Sequence, residues 1–223
     1  MIKAILLDIE GTVSPISFVK DVMFPYSMEK MENYIKNNKE KVKHILDKVR
    51  EIEGKNLTDE EVIKTLKRWI DEDKKIDPLK EIQGYIWKEG FETGKLKAPI
   101  YKDAYEKMKQ WKDKYKLYIY SSGSVNAQKL FFSYTEYGNI LDWFSGHFDL
   151  KIGSKKEKSS YEKIAKEIGL KPEKILFLSD NPDEIKAAKE AGLEVIKVSR
   201  PEDVPYLENF PYKQIKSFEE IDL

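Results

Sequence analysis

Five short apolar segments separated by helical patterns constrain the fold of this chain more than any other feature. The segments are residues 4–8, 117–121, 148–151, 175–179 and 195–198. The helical patterns that alternate with them are residues 104–114, 125–134, 161–168 and 183–191. Such alternation is typical of a parallel sheet whose two faces are covered by helices. The sequence therefore predicts an α/β fold.

Residues 18–94 show a different pattern, because apolar residues recur there with helical spacing and no strand signal interrupts them. One predicted apolar stripe consists of Val42, Ile45, Leu46, Val49 and Ile52. Thr58 and Glu61 predict a capping box at the start of the next helix. Asp77 and Pro78 predict an N-cap followed by proline at the first helical position. We expect a core formed by residues 1–15 and 97–223, and a helical insertion formed by residues 16–96.

The composition excludes several classes of function. The 223 residues carry 40 Lys and Arg against 40 Asp and Glu, whereas nucleic-acid-binding domains usually have a basic excess. The absence of cysteine excludes disulfides and thiolate sites, and two histidines are too few for a multi-histidine zinc site. There is no signal-peptide pattern and no apolar run near the ~20 residues of a membrane span. We therefore expect a cytoplasmic protein that binds neither nucleic acid nor membrane.

Polar side chains follow the predicted strands, at the edge of the sheet where ligands gather in open α/β folds. They are Asp8, Glu10 and Thr12 after the first strand, Ser121 and Ser122 after the second, Lys155 after the third, and Asp180 and Glu184 after the fourth. Carboxylate oxygens suit Mg²⁺, whereas hydroxyls, N–H groups at a helix start and a lysine suit phosphate oxygens. The sequence predicts a site for a hard cation and a phosphate at this edge.

Each of these residues also has a purely structural interpretation. Asp8 alone is compatible with a turn at the end of a strand, and Ser121 and Ser122 with a helix N-cap. Asp183 and Glu184 are expected to complement a helix dipole. The joint occurrence of all the groups after successive strands favours the functional interpretation.

Four sequence strings resemble the motifs of the haloacid dehalogenase superfamily: DIEGT at 8–12, YIYSSGS at 118–124, KIGSK at 151–155 and FLSDNPDE at 177–184. The resemblance is closer to acireductone synthases, the enolase-phosphatases of methionine salvage. It extends through the string LLDIEGTVSPISFVKDVMFPY at 6–26 and covers nearly the whole chain. Glu10 matters most here, because most of the superfamily has Asp at that position.

The resemblance implies a role for each matching residue. Asp8 is the expected nucleophile and a Mg²⁺ ligand, and Asp180 is a second metal ligand. Glu10 is expected to contribute its backbone carbonyl to the metal and its side chain as acid and base. Ser121, Ser122 and Lys155 are the expected substrate-binding residues. Lys156 and Lys158 remain alternatives to Lys155, and Glu184 is near enough in sequence to support the metal site.

The implied reaction is a Mg²⁺-dependent phosphoric monoester hydrolysis with a preceding enolisation. The substrate would be 2,3-diketo-5-methylthiopentyl 1-phosphate and the product 1,2-dihydroxy-3-keto-5-methylthiopentene. The implied fold is a haloacid dehalogenase-like Rossmannoid core with an all-helical cap insertion. The resemblance also implies that each chain binds one Mg²⁺ and acts as a monomer. Four aromatic or basic residues that follow the first motif are candidates for contact with the substrate, and the sequence leaves open which of them do so: Phe18, Lys20, Phe24 and Tyr26.

Two alternative functions stay open at this stage. One is a generalist phosphomonoesterase on the same fold. The other is a non-catalytic phospho-accepting or binding protein, although receiver domains have only about 120 residues and no helical insertion. The base for enolisation is not assigned by the sequence, and Glu10 is a candidate.

Overall fold

The sheet of the protein consists of six strands: β1 (Ala4–Leu7), β2 (Lys116–Tyr120), β3 (Phe144–Phe148), β4 (Ile175–Ser179), β5 (Glu194–Val198) and β6 (Gln214–Ile215). The computed structural model describes residues 1–223 and orders the strands β3-β2-β1-β4-β5-β6, with every pair parallel. All four residues of β1 are fully buried, as expected of a central strand. The predicted α/β fold is confirmed.

The strand register determines which chain segments meet. Leu7 at the end of β1 pairs with Ile119 on β2 and with Leu178 on β4. The residues that follow these three strands therefore lie at one edge of the sheet. This edge carries the first, second and fourth sequence motifs.

Two strands differ from the sequence prediction. The third strand was predicted at residues 148–151, but β3 ends at Phe148 and residues 149–151 form a turn in which Asp149 accepts the Lys151 N–H. β3 is an edge strand with exposed Ser145 and with Gly146, so its sequence lacks the apolar run of a buried strand. The two-residue strand β6 was not predicted, because it is too short to show a pattern.

Eight helices accompany the sheet: α1 (Phe24–Asn37), α2 (Lys39–Glu53), α3 (Asp59–Asp71), α4 (Asp77–Glu92), α5 (Lys102–Trp111), α6 (Val125–Ser133), α7 (Lys158–Ile168) and α8 (Pro182–Glu190). A π-helical segment precedes α1 at Phe18–Met23, and short 3₁₀ helices lie at Leu141–Trp143, Pro172–Lys174 and Phe218–Glu220. None of the helices has both the length and the apolar character that a membrane crossing requires.

The chain divides into two compact units. Unit 1 contains Met1–Phe18 and Lys97–Leu223, with the sheet and α5–α8, and unit 2 contains Val19–Leu96, with α1–α4. Tyr120, Tyr161 and Phe177 lie in the core of unit 1 and are fully buried. The assignment of the two units as catalytic core and cap stays a prediction.

Unit 2 confirms the predicted helical pattern with two corrections. The capping box of Thr58 and Glu61 opens α3, and Trp69 and Trp87 are buried. Ile52, in contrast, is 45% exposed, because it lies at the end of the α2 stripe. Asp77 is the first residue of α4 and not its N-cap, which is Ile76.

Candidate active site

The turn after β1 holds the first motif in a defined conformation. The Asp8 N–H donates to the Leu178 carbonyl at 3.0 Å, and the Ile9 carbonyl accepts the N–H groups of residues 12, 13 and 14. Gly11 has φ +77°, a left-handed conformation that favours glycine. A Cβ atom at Gly11 would lie 2.4 Å from Asp180 Oδ2, so the absence of a side chain also lets Asp180 approach.

The Asp8 carboxylate is buried and has a hydrogen-bond donor on each oxygen. The Thr12 hydroxyl donates to Oδ2 at 2.8 Å, and the Lys155 ammonium donates to Oδ1 at 2.6 Å. Asp8 is 5% exposed, so these two contacts replace much of the hydration that the charge has lost. The carboxylate is thereby held in one orientation at the end of β1.

Lys155 is the lysine that the structure brings to the site. Its Nζ also lies 2.9 Å from Glu184 Oε1, whereas the side chains of Lys156 and Lys158 are 60% and 57% exposed. Burial alone would lower the pKa of the Lys155 amine, but the carboxylates of Asp8 and Glu184 outweigh it and raise that pKa. Lys155 therefore remains an ammonium ion in this buried position.

Three carboxylates share this single ammonium ion. Burial, reinforced by the neighbouring Asp8 carboxylate, raises the pKa of Asp180 to about 9. Burial and Asp8 also raise the pKa of Glu184. If all three carboxylates were ionised, their negative charge would exceed what Lys155 balances, so a further cation bound among them would favour their ionised forms.

The residues present fit a magnesium ion better than a metal held by many side chains. No group of three or more Asp, Glu, His or Cys side chains is arranged as a metal site by itself. Asp8 and Asp180 supply two carboxylates, and Mg²⁺ commonly binds one or two carboxylates while it keeps several waters. The carboxyl group of Asp180 beside Gly11, close to Asp8, is therefore compatible with the predicted ion.

Ser121 and Ser122 follow β2, beside β1 at the same edge of the sheet. Ser121 is buried, and its hydroxyl accepts the Gly123 N–H at 3.4 Å. The N–H groups at the start of α6 are partly used, since Val125 donates to Asp149 and Ala127 donates to Ser124. The two N–H groups of Val125 and Ala127 are therefore not available to a phosphate in this structure.

Glu10 lies in the turn between Asp8 and Thr12. It is partly buried, and its backbone forms a bridge with Ser14. In the sequence it lies two residues after Asp8. Its role as acid and base stays a prediction.

Glu184 makes more contacts in the site than its helix-dipole interpretation and its proximity in sequence to Asp180 predict. Its carboxylate contacts Lys155 and accepts the Ser179 hydroxyl at 3.0 Å. The preceding acid, Asp183, has a side chain that is 68% exposed and fits the helix-dipole interpretation. The closeness of Glu184 to Asp180 in sequence indicates a supporting role, but its contacts with Lys155 and Ser179 are visible only in the structure.

Comparisons with known proteins identify the family of the chain. The sequence model of haloacid dehalogenase-like hydrolases matches residues 2–192. The chain is 66% identical to Enolase-phosphatase E1 of Persephonella marina, over 99% of both chains, and 58% identical to Enolase-phosphatase E1 of Aquifex aeolicus, over 100% of both. The crystal structure of the UTR4 protein from Saccharomyces cerevisiae is 37% identical, covers 99% of this chain and 100% of its own, and superimposes with a TM-score of 0.86.

The matches to the two relatives extend over essentially the whole chain, and all the matches include the segments that form the carboxylate and lysine cluster. The family match covers Asp8, Lys155 and Asp180, and the relatives span unit 2 as well. The chain belongs to the haloacid dehalogenase-like hydrolases and, among them, to the Enolase-phosphatase E1 family.

Proposed function

We propose that this protein is a Mg²⁺-dependent enolase-phosphatase that converts 2,3-diketo-5-methylthiopentyl 1-phosphate into 1,2-dihydroxy-3-keto-5-methylthiopentene and phosphate in methionine salvage. The observation that carries the proposal is the buried Asp8 carboxylate, with one donor on each oxygen and Lys155 bridging it to Glu184. The names of the relatives support two activities in one protein. The substrate is the one implied by the resemblance of the motifs.

Phosphoryl transfer begins at Asp8. One of its carboxylate oxygens attacks the phosphorus, and the bond between phosphorus and the ester oxygen of the substrate breaks. Glu10 gives its proton to the departing oxygen and then takes a proton from the water that attacks the phosphoaspartate. Phosphate leaves, and Asp8 is regenerated as a carboxylate.

Lys155 and the serine pair bind the phosphate. The Lys155 ammonium supplies a point charge, and Ser121 and Ser122 supply hydroxyl donors at the same edge of the sheet. Glu184 holds Lys155 in position through the 2.9 Å ion pair. These residues orient the phosphorus toward Asp8.

Mg²⁺ would be held by the side chains of Asp8 and Asp180 and by the backbone carbonyl of Glu10. When bound, it supplies positive charge that balances the phosphate and the carboxylate cluster. The closeness of Asp180 to Asp8, which raises the pKa of Asp180, supports this assignment, because a bound cation would favour the ionised form of both groups.

Enolisation requires removal of a proton next to a carbonyl whose oxygen is stabilised by positive charge. The Lys155 ammonium is a candidate for that stabilisation. Glu10 is the candidate base, because it carries the proton in the second reaction as well.

The remaining assignments are proposed on the same basis. Unit 1 is the catalytic core and unit 2 the inserted cap. We infer a monomer in the cytoplasm whose partner is a small phosphate ester. The zero net charge supports the exclusion of nucleic acid from its partners.

The proposal is tested by recording ultraviolet absorbance of the enediol and phosphate release in parallel, with the diketone phosphate and with p-nitrophenyl phosphate. We expect the diketone phosphate to be enolised and dephosphorylated at a much higher kcat/KM than the simple ester. Equal kcat/KM values with no enediol would indicate a generalist phosphatase. No phosphate release from either ester would indicate a non-catalytic protein.

A further inference from the structure

Arg200 is a buried arginine outside the carboxylate cluster, in the segment that follows β5. It is 3% exposed, and its Nε and Nη2 atoms donate to the Thr12 carbonyl at 3.2 and 2.8 Å. Its Nη1 atom donates to Asp103 Oδ2 at 2.7 Å. The guanidinium carbon lies 4.1 Å from the centre of the Tyr101 ring and 5.1 Å from that of Phe218.

Asp203 adds a second connection between the segment that follows β5, the turn after β1 and the residues before α5. Its Oδ2 accepts the Ile16 N–H at 3.1 Å and the Tyr101 hydroxyl at 2.6 Å. Tyr101 in turn donates its backbone N–H to the Val13 carbonyl at 2.9 Å. We call the group formed by Arg200, Asp203, Tyr101 and Asp103 the Arg200 latch.

The latch meets the catalytic machinery at Thr12. The carbonyl of Thr12 accepts both hydrogen bonds from Arg200, and its hydroxyl donates to Asp8 Oδ2 at 2.8 Å. Thr12 is fully buried, so water cannot replace the hydrogen bonds that its carbonyl oxygen accepts from Arg200. Arg200 therefore holds the residue that orients Asp8.

Arg200 and Asp203 lie beyond residue 192, where the match to the general hydrolase family ends. They belong to the part of the chain shared with the enolase-phosphatase relatives, which match over essentially the whole length. Neither residue belongs to any of the four sequence motifs.

We propose that Arg200 is a positioning residue for phosphoryl transfer, which acts on Asp8 through Thr12. The inference rests on the proposed function, in which Asp8 accepts the phosphoryl group. Because reacting atoms must be held in a near-attack geometry, a displacement of Asp8 by about 1 Å costs on the order of a hundredfold in rate.

The test is Arg200→Lys in the full chain with Mg²⁺, assayed on the diketone phosphate and on p-nitrophenyl phosphate. Lysine keeps a positive charge near Asp103. It lacks the planar guanidinium group that lets Arg200 donate to Asp103 and to the Thr12 carbonyl at the same time. We expect kcat to fall by about 10- to 100-fold on both esters while KM changes by less than about threefold.

Arg50→Lys in unit 2 is the matched control. Arg50 also donates to a backbone carbonyl, that of Leu57 at 2.6 Å, and to a carboxylate, that of Asp59 at 2.6 Å. Loss of this pair should lower the thermal unfolding midpoint and leave kcat unchanged at temperatures where the variant is folded. A wild-type kcat for Arg200→Lys would overturn the proposal and leave the latch a structural feature only.

A double-mutant cycle tests the route through Thr12. Thr12→Val removes the hydroxyl but keeps the carbonyl that Arg200 binds. In the Thr12→Val background, Arg200→Lys should lower kcat by less than about threefold, because coupled residues are not additive. Fully additive effects would contradict action through Thr12.

Two further outcomes are distinguishable. If Arg200→Lys does not fold, Arg200→Gln combined with Asp103→Asn removes both charges together. The same fall in kcat is then expected, whereas a wild-type kcat overturns the inference.

If the wild type releases no phosphate from either ester, the proposed function fails. If the wild type is active and the folded variants match it, only the inference about Arg200 fails.

Discussion

At the scale of single residues, the site is a small cluster of buried charges with an excess of carboxylates. Asp8 and Glu184 contact the ammonium of Lys155, and burial together with Asp8 raises the pKa of the neighbouring Asp180 to about 9. Removal of one partner from such a cluster is costly, because the remaining buried charge is left uncompensated. Single substitutions here should therefore separate the individual roles.

Glu10→Gln separates the two chemical steps, because it keeps the backbone carbonyl proposed to bind Mg²⁺ and removes the proton carrier. If Glu10 serves only phosphoryl transfer, the diketone should still be enolised while phosphate release slows by roughly a hundredfold or more. The enolised phosphate ester should then accumulate and be seen by its ultraviolet absorbance. Loss of both steps together would identify Glu10 as the enolisation base, and normal phosphate release would exclude any catalytic role.

Glu184→Gln tests the residue that holds Lys155. Glutamine can still accept the Ser179 hydroxyl, but it loses the ion pair with Lys155. We expect kcat for phosphate release to fall by about 10- to 100-fold, as is usual for residues that orient a catalytic group. Asp183→Asn is the control, since that exposed side chain lies next in sequence and should leave kcat unchanged. Equal activities of the two variants would show that Glu184 is not needed.

At the scale of elements, the parallel pairing of β2, β1 and β4 places the site. Parallel strands direct their carboxyl ends to one edge, so three motifs that are far apart in sequence meet there. The end of the edge strand β3 also contacts a side chain of α6. The Gln128 side chain on α6 donates to the Phe148 carbonyl at 2.8 Å and lies 3.3 Å from His147 Nδ1.

His147 on β3 predicts a pH dependence of stability. Burial, with a smaller effect of Lys129, lowers its pKa to about 4, below the ordinary value near 6.5. Between these values the unfolded chain binds more protons than the folded one, so this contribution to stability is lost as the pH falls from about 6.5 toward 4. The free energy of unfolding, measured by chemical denaturation, should depend less steeply on pH over that range in His147→Gln than in the wild type. Parallel curves for the variant and the wild type would contradict this account.

At the scale of the whole molecule, the parts predicted from the sequence are those with strong local patterns. The central strands, the capping box of Thr58 and the convergence of Asp8, Lys155 and Asp180 follow from apolar runs, capping chemistry and strand ends. The Arg200 latch could not be predicted, because it joins residues nearly 190 positions apart through a backbone carbonyl. The position of β3 was missed because an edge strand needs no apolar run.

Removal of the metal should affect both stability and activity of the whole protein. A cation that binds only the folded state raises its stability, by about 2.7 kcal/mol at a hundredfold excess over Kd. EDTA should therefore lower the thermal unfolding midpoint and stop phosphate release, and added Mg²⁺ should restore both. Asp180→Asn should weaken the Mg²⁺-dependent shift in the midpoint. An unchanged midpoint together with full activity in EDTA would contradict the proposed metal site.

The central claim is that Asp8, held between Thr12 and Lys155, accepts the phosphoryl group. The most direct measurement is to quench the reaction during turnover, reduce acyl phosphates with borohydride and map the modified peptide by mass spectrometry. The account predicts conversion of Asp8 to homoserine in the wild type, and no such conversion in Asp8→Asn, which should remain folded with less than about one per cent of wild-type activity. Phosphate release without modification of Asp8, or modification at another carboxylate, would contradict the account.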